Sequence, residues 1–347
     1  MIAIKNLNLK VGTFELKDIN LEIKKGEYFV ILGPTGAGKS LILKCIAGLN
    51  KMDSGELFID NKLSNNIPIE ERDIGYVFQD STLFPHLNVY QNITFGLRLK
   101  RMPKSLIEKK VSNICKLFGI CHLLKRPVDN LSGGERQRVS LARSMICEPK
   151  AILLDEPFSS LDRNTAERLM IEIKRIHAQT RQTIIHVTHN HEEAAVLADR
   201  ICILKDGSIV QVGTFNEILT KPNSEFVADF FCTHNIFSGF SVIEGNVSKI
   251  EYNGICIYSS QLRGGKVAFS IRPEDVAISL NKEKGEGINS FRGTIKEIID
   301  RGVIIQILVD VGFPIVSYSL RSSFLAMGLK EGDSVNIYFD KNAVHII

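Results

Sequence analysis

The octapeptide GPTGAGKS (33–40), set directly after the apolar run EYFVIL (27–32), constrains this chain more than any other feature. It fits G-x-x-x-x-G-K-S without a mismatch, and the LILKCIAG that follows reads as a helix closed by Gly48. A continuous apolar run suits a strand buried on both faces, so the expected unit is strand, tight loop, helix. Gly33, Gly36 and Gly38, with Pro34, Thr35 and Ala37 between them, let the backbone wrap a polyphosphate and aim its N–H groups inward. The helix N-terminus adds its positive end. Lys39 is then expected at the β- and γ-phosphates of a nucleotide such as ATP, and the Ser40 hydroxyl on Mg²⁺.

The rest of the first 235 residues repeats the alternation of short apolar strands and periodic helices that builds a largely parallel sheet. AILL (151–154) and TIIHV (183–187) read as buried strands, and between them Ala166, Leu169, Met170, Ile173 and Ile176 fall at helical spacing, giving a βαβ crossover. AILLDEP sets Asp155 and Glu156 where a strand ends, the edge at which open α/β sheets bind ligands. Asp155 is expected to hold Mg²⁺ through water, and Glu156 to accept a proton from an attacking water. LSGGERQR (131–138) opens a second helix with Ser132 and the Gly133–Gly134 amides, a second anion-binding terminus. One nucleotide does not need two cradles on one chain, so the second is expected to close over a nucleotide held by another copy.

After residue 235 the texture changes to glycine-punctuated short strands (KVAFSI, GTIKEII, GVIIQILVDVG, DSVNIYF), which predicts a small all-β module of barrel type over 236–347. NKEKGEGINS (281–290) reads as a linker between its halves. The 347 residues suit two domains, and the net charge of +4 is too mild for a nucleic-acid footprint. Seven cysteines form no CxxC pair, and most of them, in apolar company, read as small core residues. No apolar run is long enough to span a bilayer and the N-terminus lacks a signal pattern, so a cytosolic protein is expected.

These motifs carry a resemblance. GPTGAGKS, Gln79 in YVFQD, LSGGERQ, ILLDEP, SSLD (159–162) and His189 in HVTHN stand in the order found in nucleotide-binding subunits of ATP-binding-cassette (ABC) transporters, over residues 1–235. The resemblance implies a P-loop NTPase cassette, a mostly parallel α/β sheet with a helical subdomain over about 82–145, working as a homodimer with two composite ATP sites. It implies that Gln79 touches Mg²⁺ or the attacking water, and that Ser132, Gly133, Gly134, Glu135 and Gln137 face the ATP of the opposite subunit. It further makes Ser159, Leu161 and Asp162 the cross-dimer loop, and His189 the residue that contacts the γ-phosphate beside Glu156. The usual slot for an aromatic on adenine holds Val11, leaving Phe14 as the candidate, and Asn190 stands where an Asp commonly follows the histidine. His186 is given a structural role inside its strand, His86 a loop position and His191 a helix start.

The apolar segment after Gln79 (Leu83, Phe84, Pro85, Leu87, Val89) is expected to take a helix of a membrane subunit, which must be a separate polypeptide. Separate pore and ATPase chains are common in importers, and SIRPEDVAIS (270–279) is similar to the regulatory module of sugar, iron(III), polyamine and oxyanion importer ATPases. The last third, with GLKEGDSV (328–335), resembles the OB-like molybdate-binding (MOP) module of molybdate and tungstate systems. That resemblance implies an ATPase on the cytoplasmic face of the membrane, serving two permease subunits and, indirectly, an extracellular substrate-binding protein. Ser319, Arg321, Ser322 and Lys341 are the candidate oxyanion residues, although the chain reads Lys341–Asn342–Ala343 where the pattern is Lys-Ala-Ser. Sugar, iron(III) or polyamine import is the alternative. A DNA-repair or ribosome factor is disfavoured because only 90 residues separate Ser40 from Leu131, too few for a long coiled coil.

Overall fold

A computed structural model describes residues 1–80, 82–231, 234–280 and 288–347. Two compact units divide the chain, Met1–Phe215 and Asn216–Ile347.

The first unit begins with β1 (Ile2–Val11), β2 (Phe14–Ile23), β3 (Tyr28–Leu32), α1 (Lys39–Ala47), β4 (Ser54–Ile59), β5 (Lys62–Leu63) and β6 (Ile74–Val77). Three helices follow, α2 (Val89–Leu99), α3 (Lys104–Leu117) and α4 (Gly133–Met145). The chain then returns through β7 (Ala151–Asp155), α5 (Arg163–Thr180), β8 (Ile184–Thr188), α6 (His191–Leu197), β9 (Arg200–Lys205) and β10 (Ser208–Gly213). The main sheet has the order β10-β9-β3-β8-β7-β6, parallel except for β10. Every residue of β3, β7 and β8 is buried, which is why these strands read as unbroken apolar runs. An antiparallel sheet, β2-β1-β4-β5, shares one core with α1 and the main sheet, built on Leu7, Leu16, Ile19, Phe29, Ile42 and Leu153.

Helices α2–α4 fill the interval between β6 and β7, within the span expected for the helical subdomain. Each of α2 and α4 starts with a reciprocal capping box, Asn88 with Gln91 and Ser132 with Glu135. Phe84 and Phe95 stack at 4.6 Å, and the Arg143 guanidinium lies 5.1 Å over the Phe84 ring. Cys45, Cys115 and Cys202 are buried, with the Cys45 and Cys115 thiols pushed up to about 12 by desolvation, whereas Cys121 is exposed. Cys232 lies outside the described residues. Among the described residues no helix is long and apolar enough to cross a membrane.

The second unit holds α7 (Phe215–Thr220), α8 (Glu225–Phe230), β11 (Asn235–Glu244), β12 (Val247–Tyr252), β13 (Ile255–Ser259), β14 (Gly265–Ile271) and β15 (Ala277–Ser279). It continues with β16 (Ile288–Asp300), β17 (Ile304–Asp310), β18 (Pro314–Leu320), α9 (Arg321–Met327), β19 (Ser334–Asp340) and β20 (Val344–Ile346). Two antiparallel five-stranded sheets, β13-β12-β11-β14-β20 and β15-β19-β16-β17-β18, enclose one core that includes Phe269, Ile307, Phe313 and Ile337. The second sheet curls until its edges meet, where the Ser317 hydroxyl donates to the Val276 carbonyl. Gly293 permits the close approach of β16 to β17, since a Cβ there would sit 2.5 Å from the Asp310 carbonyl oxygen.

The division falls before 235. Helix α8 packs on β11, and His345 Nε2 donates to the Pro222 carbonyl at 2.9 Å, so these helices group with the β-module. Their helical periodicity resembles that of the preceding stretch, and only the tertiary contacts reassign them. Of the expected linker, residues 281–287 lie outside the described residues and 288–290 open β16.

Arg72 is a buried tie in the first unit, 6% exposed, donating to the carbonyls of Cys45 and Ile46 at the end of α1 and of Ile67 and Asn65. Arg72→Met removes all four of these donations in a buried setting and should lower stability by about 3 kcal/mol, read as a lower denaturant midpoint for the first unit. An unchanged midpoint would mean that water replaces the guanidinium.

Candidate functional site

The parallel register assembles the site. Leu32 at the end of β3 pairs with Thr188 at the end of β8, and Val187 of β8 pairs with Asp155 at the end of β7. The loop after β3, the carboxylates after β7 and the histidine after β8 therefore emerge on one edge of the sheet.

In the loop, Gly36 and Gly38 have φ of 84° and 99°, the left-handed region that favours glycine. A Cβ on Gly33 would lie 2.2 Å from the Leu204 carbonyl oxygen of β9. A Cβ on Gly38 would meet the Phe14 ring at 2.8 Å, so the aromatic expected beside a base packs directly on the loop. A cavity of about 580 Å³ is lined by Val11, Phe14, Lys39, Ser40, Gln79 and Glu156, among others. Lys39 is 5% exposed, and its ammonium donates to the carbonyls of Gly33 and Pro34, both at 2.9 Å. Burial lowers its pKa, against the opposing pull of Glu156 and Asp155.

Both oxygens of Asp155 are held. Ser40 donates to Oδ1 at 2.7 Å and the Tyr76 hydroxyl to Oδ2 at 2.8 Å. A hydroxyl and a carboxylate oxygen in contact beside a phosphate loop are hard oxygen donors, and they fit Mg²⁺ that takes its other ligands from phosphate and water. Tyr76 carries no motif of its own. It reaches Asp155 because β6 lies beside β7, with Tyr76 opposite Leu153.

Glu156 has φ 44°, an uncommon conformation for a non-glycine residue, and it turns the side chain sharply off the strand. Its Oε1 lies 3.3 Å from His189 Nδ1, which joins the two expected partners. Asn190 is the N-cap of α6, accepting from the Glu192 N–H at 2.8 Å, so the amide performs the capping an Asp would. A second cavity, of about 430 Å³, is lined by Glu156, Ser159, Leu161, His189 and Glu193, among others. Asp162 caps α5 through the Thr165 N–H.

Ser132 is the N-cap of α4, but its side chain and N–H are both engaged by Glu135, whose carboxyl is held below its ordinary pKa by the Ser132 N–H. Gly133 is exposed and faces Leu161, and a Cβ on Gly134 would clash with Thr165 of α5. The LSGGERQR start of α4 thus adjoins the 159–162 loop and lines neither cavity around Glu156. Gln137 corrects the expectation. It is fully buried, and neither amide atom has a hydrogen-bond partner among the described residues, so it does not face another copy.

Lys341 is not brought to the other oxyanion candidates, which are neighbours along the chain at 319–322. Arg321 pairs with Asp300 at 3.1 Å, Ser322 is exposed, and Ser319 lines a cavity of about 520 Å³ with Arg272 and Tyr318. Lys341 follows β19, whose Asp340 pairs with Ile288 at the far end of β16 from Asp300. The strand order separates this lysine from the other candidates.

The sequence matches the ABC transporter family over residues 16–159 and the TOBE domain family over 269–347. A molybdate/tungstate import ATP-binding protein of Pyrococcus abyssi is 39% identical over 347 residues, covering 100% of both chains. The chain belongs to the ABC transporter family. A second such import protein, from Pyrococcus horikoshii, is 37% identical over 100% of this cassette chain and 99% of its own. A spermidine/putrescine import ATP-binding protein of Borrelia garinii is 38% identical over 97% of this chain and 94% of its own. Among solved structures, the cbiO1 cassette of Clostridium perfringens superposes with a TM-score of 0.58 at 33% identity, covering 62% of this chain and 89% of its own. A dimeric cassette bound to ADP and phosphate gives 0.56 at 33% identity, covering 62% and 99%.

Gly33→Ala in this ABC cassette must displace the Leu204 carbonyl or distort the loop. It should weaken ATP binding about tenfold in calorimetry, and unchanged affinity would mean that β9 yields.

Proposed function

We propose that this chain is the ATP-hydrolysing subunit of an importer for molybdate or tungstate, working as a homodimer on the cytoplasmic face of the membrane. Its partners are two permease subunits, supplied by an extracellular substrate-binding protein. The observation that carries the enzymatic reading is the convergence of Lys39, Ser40, Asp155, Glu156 and His189 on one sheet edge. Lys39 exchanges its contacts with the Gly33 and Pro34 carbonyls for nucleotide phosphates, a stronger charge-assisted pairing. Ser40 and Asp155 would hold Mg²⁺, which neutralises developing phosphate charge, while Tyr76 fixes the Asp155 carboxylate. Glu156 accepts the proton of the attacking water, and His189 holds that water and the γ-phosphate in line. The exposed Gly133 beside Leu161 supports closure of each signature over the nucleotide of the other copy. Release of phosphate removes the shared contact and lets the dimer open.

The cargo reading rests on the Pyrococcus relatives, which match along the whole chain. A polyamine cargo has comparable identity behind it, because much of any such alignment is cassette. Reconstitution with the cognate permease separates the two. Oxyanion-loaded binding protein should stimulate ATP hydrolysis, and stimulation by spermidine-loaded protein instead would reverse the assignment.

Glu156→Gln should reduce kcat by at least about 100-fold while ATP still binds and draws two copies together, followed by light scattering. Full turnover would remove Glu156 from the base role. Tyr76→Phe should raise the Mg²⁺ concentration for half-maximal hydrolysis about threefold, in proportion to one lost hydrogen bond of roughly 0.7 kcal/mol. No change in that requirement would separate Tyr76 from the metal site.

A further inference from the structure

A buried polar cluster lies behind His189 and has no part in the chemistry just derived. His186, in the middle of β8, is fully buried. Its Nδ1 is 3.2 Å from the Tyr28 hydroxyl at the start of β3, and its Nε2 faces Glu193 Oε2, on the first turn of α6, at 3.2 Å. The approach of Nε2 to Oε2 is a close polar contact without hydrogen-bond alignment, and neither atom has a hydrogen-bond partner among the described residues. The rings of Phe158 and Tyr28 stand edge-on to the imidazole, with centroids 5.7 and 6.0 Å away.

Chemistry orders this cluster. Burial, with the Glu193 charge adding to it, pushes the Tyr28 hydroxyl well above its ordinary pKa, so the phenol keeps its proton and donates to Nδ1. Nε2 then carries the ring proton, on the side of the ring that the Glu193 carboxylate approaches at 3.2 Å. A carboxylate whose side chain is only 8% exposed is a costly way to stabilise a helix, and an apolar contact would do as well.

Location supplies the function. Glu193 lines the same cavity as Glu156 and His189. Between His186 and Glu193 the chain makes one short turn, in which Thr188 Oγ1 accepts from the Asn190 N–H and the Asn190 side chain accepts from the Glu192 N–H. His189 is on that turn, 54% exposed, and among the described residues its imidazole is held by the 3.3 Å contact with Glu156. Its placement therefore depends on how α6 is pinned against β8 and β3.

We infer that Glu193, acting through His186 and Tyr28, is a positioning residue that sets where the His189 imidazole stands against Glu156 and the γ-phosphate. This rests on the role proposed above for His189, and the test keeps the two apart. Steady-state ATP hydrolysis by the full chain is compared for Glu193→Gln, Tyr28→Phe, His189→Ala and the Glu193→Gln/His189→Ala double variant. Glu193→Gln keeps the shape and removes the charge, and should lower kcat about tenfold with KM for ATP changed less than about twofold. Tyr28→Phe deletes one hydroxyl, should act in the same direction, and serves if Glu193→Gln fails to fold. In the His189→Ala background Glu193→Gln should add nothing, because its effect passes through that ring. Equal losses in both backgrounds, a change confined to KM, or an unaltered kcat would overturn the inference while leaving His189 in place. An unaltered kcat in His189→Ala alone would instead overturn the reading on which it rests.

Discussion

Parallel pairing of β3, β8 and β7 is the constraint on which the rest of this structure depends. Because Leu32 lies level with Thr188, and Val187 with Asp155, three loops leave the sheet within one residue of each other in register. A shift of one residue in either ladder would turn every side chain of the shifted strand to the opposite face. Close packing on both faces of all three strands resists that slip, since each shifted side chain would have to repack against neighbours shaped for another.

The edge so formed gathers charge that would otherwise be unfavourable. Lys39 is 5% and Asp155 7% exposed, and each is satisfied by neighbours rather than by solvent. Lys39 leans on two carbonyls of its own loop, while Asp155 accepts from Ser40 and Tyr76. Groups held this way are preorganised for a polyphosphate and a hard cation, which pay part of the desolvation in advance of binding. Glu156 takes the left-handed backbone needed to leave the strand end toward His189, and local strain of that kind concentrates at functional positions.

Much of the cassette was legible because its elements are local. The run 27–32, the glycines at 33, 36 and 38, and the Ser132 and Glu135 pair each carry a backbone or capping requirement readable within a few residues. Less was legible wherever the partner comes from a distant strand or helix. Tyr76 finds Asp155 only because β6 and β7 are neighbours, and Gln137 turns inward because α4 presses on α5 at Gly134 and Thr165. In the second unit, strand order set the length of β16 between Lys341 and Asp300, and so separated Lys341 from the candidates at 319–322.

Sequence by itself determined the type of chemistry, because a phosphate loop, a strand-end carboxylate pair and a signature at a helix start are requirements of backbone conformation and charge within short segments. Tertiary structure alone decided which side chains meet. It supplied Tyr76 to Asp155, regrouped α7 and α8 with the β-module, and buried His186 and Glu193 behind the turn that carries His189. The physical reason is the same in each case. Hydrogen bonding between strands and packing between helices bring together residues whose separation along the chain carries no trace of their contact.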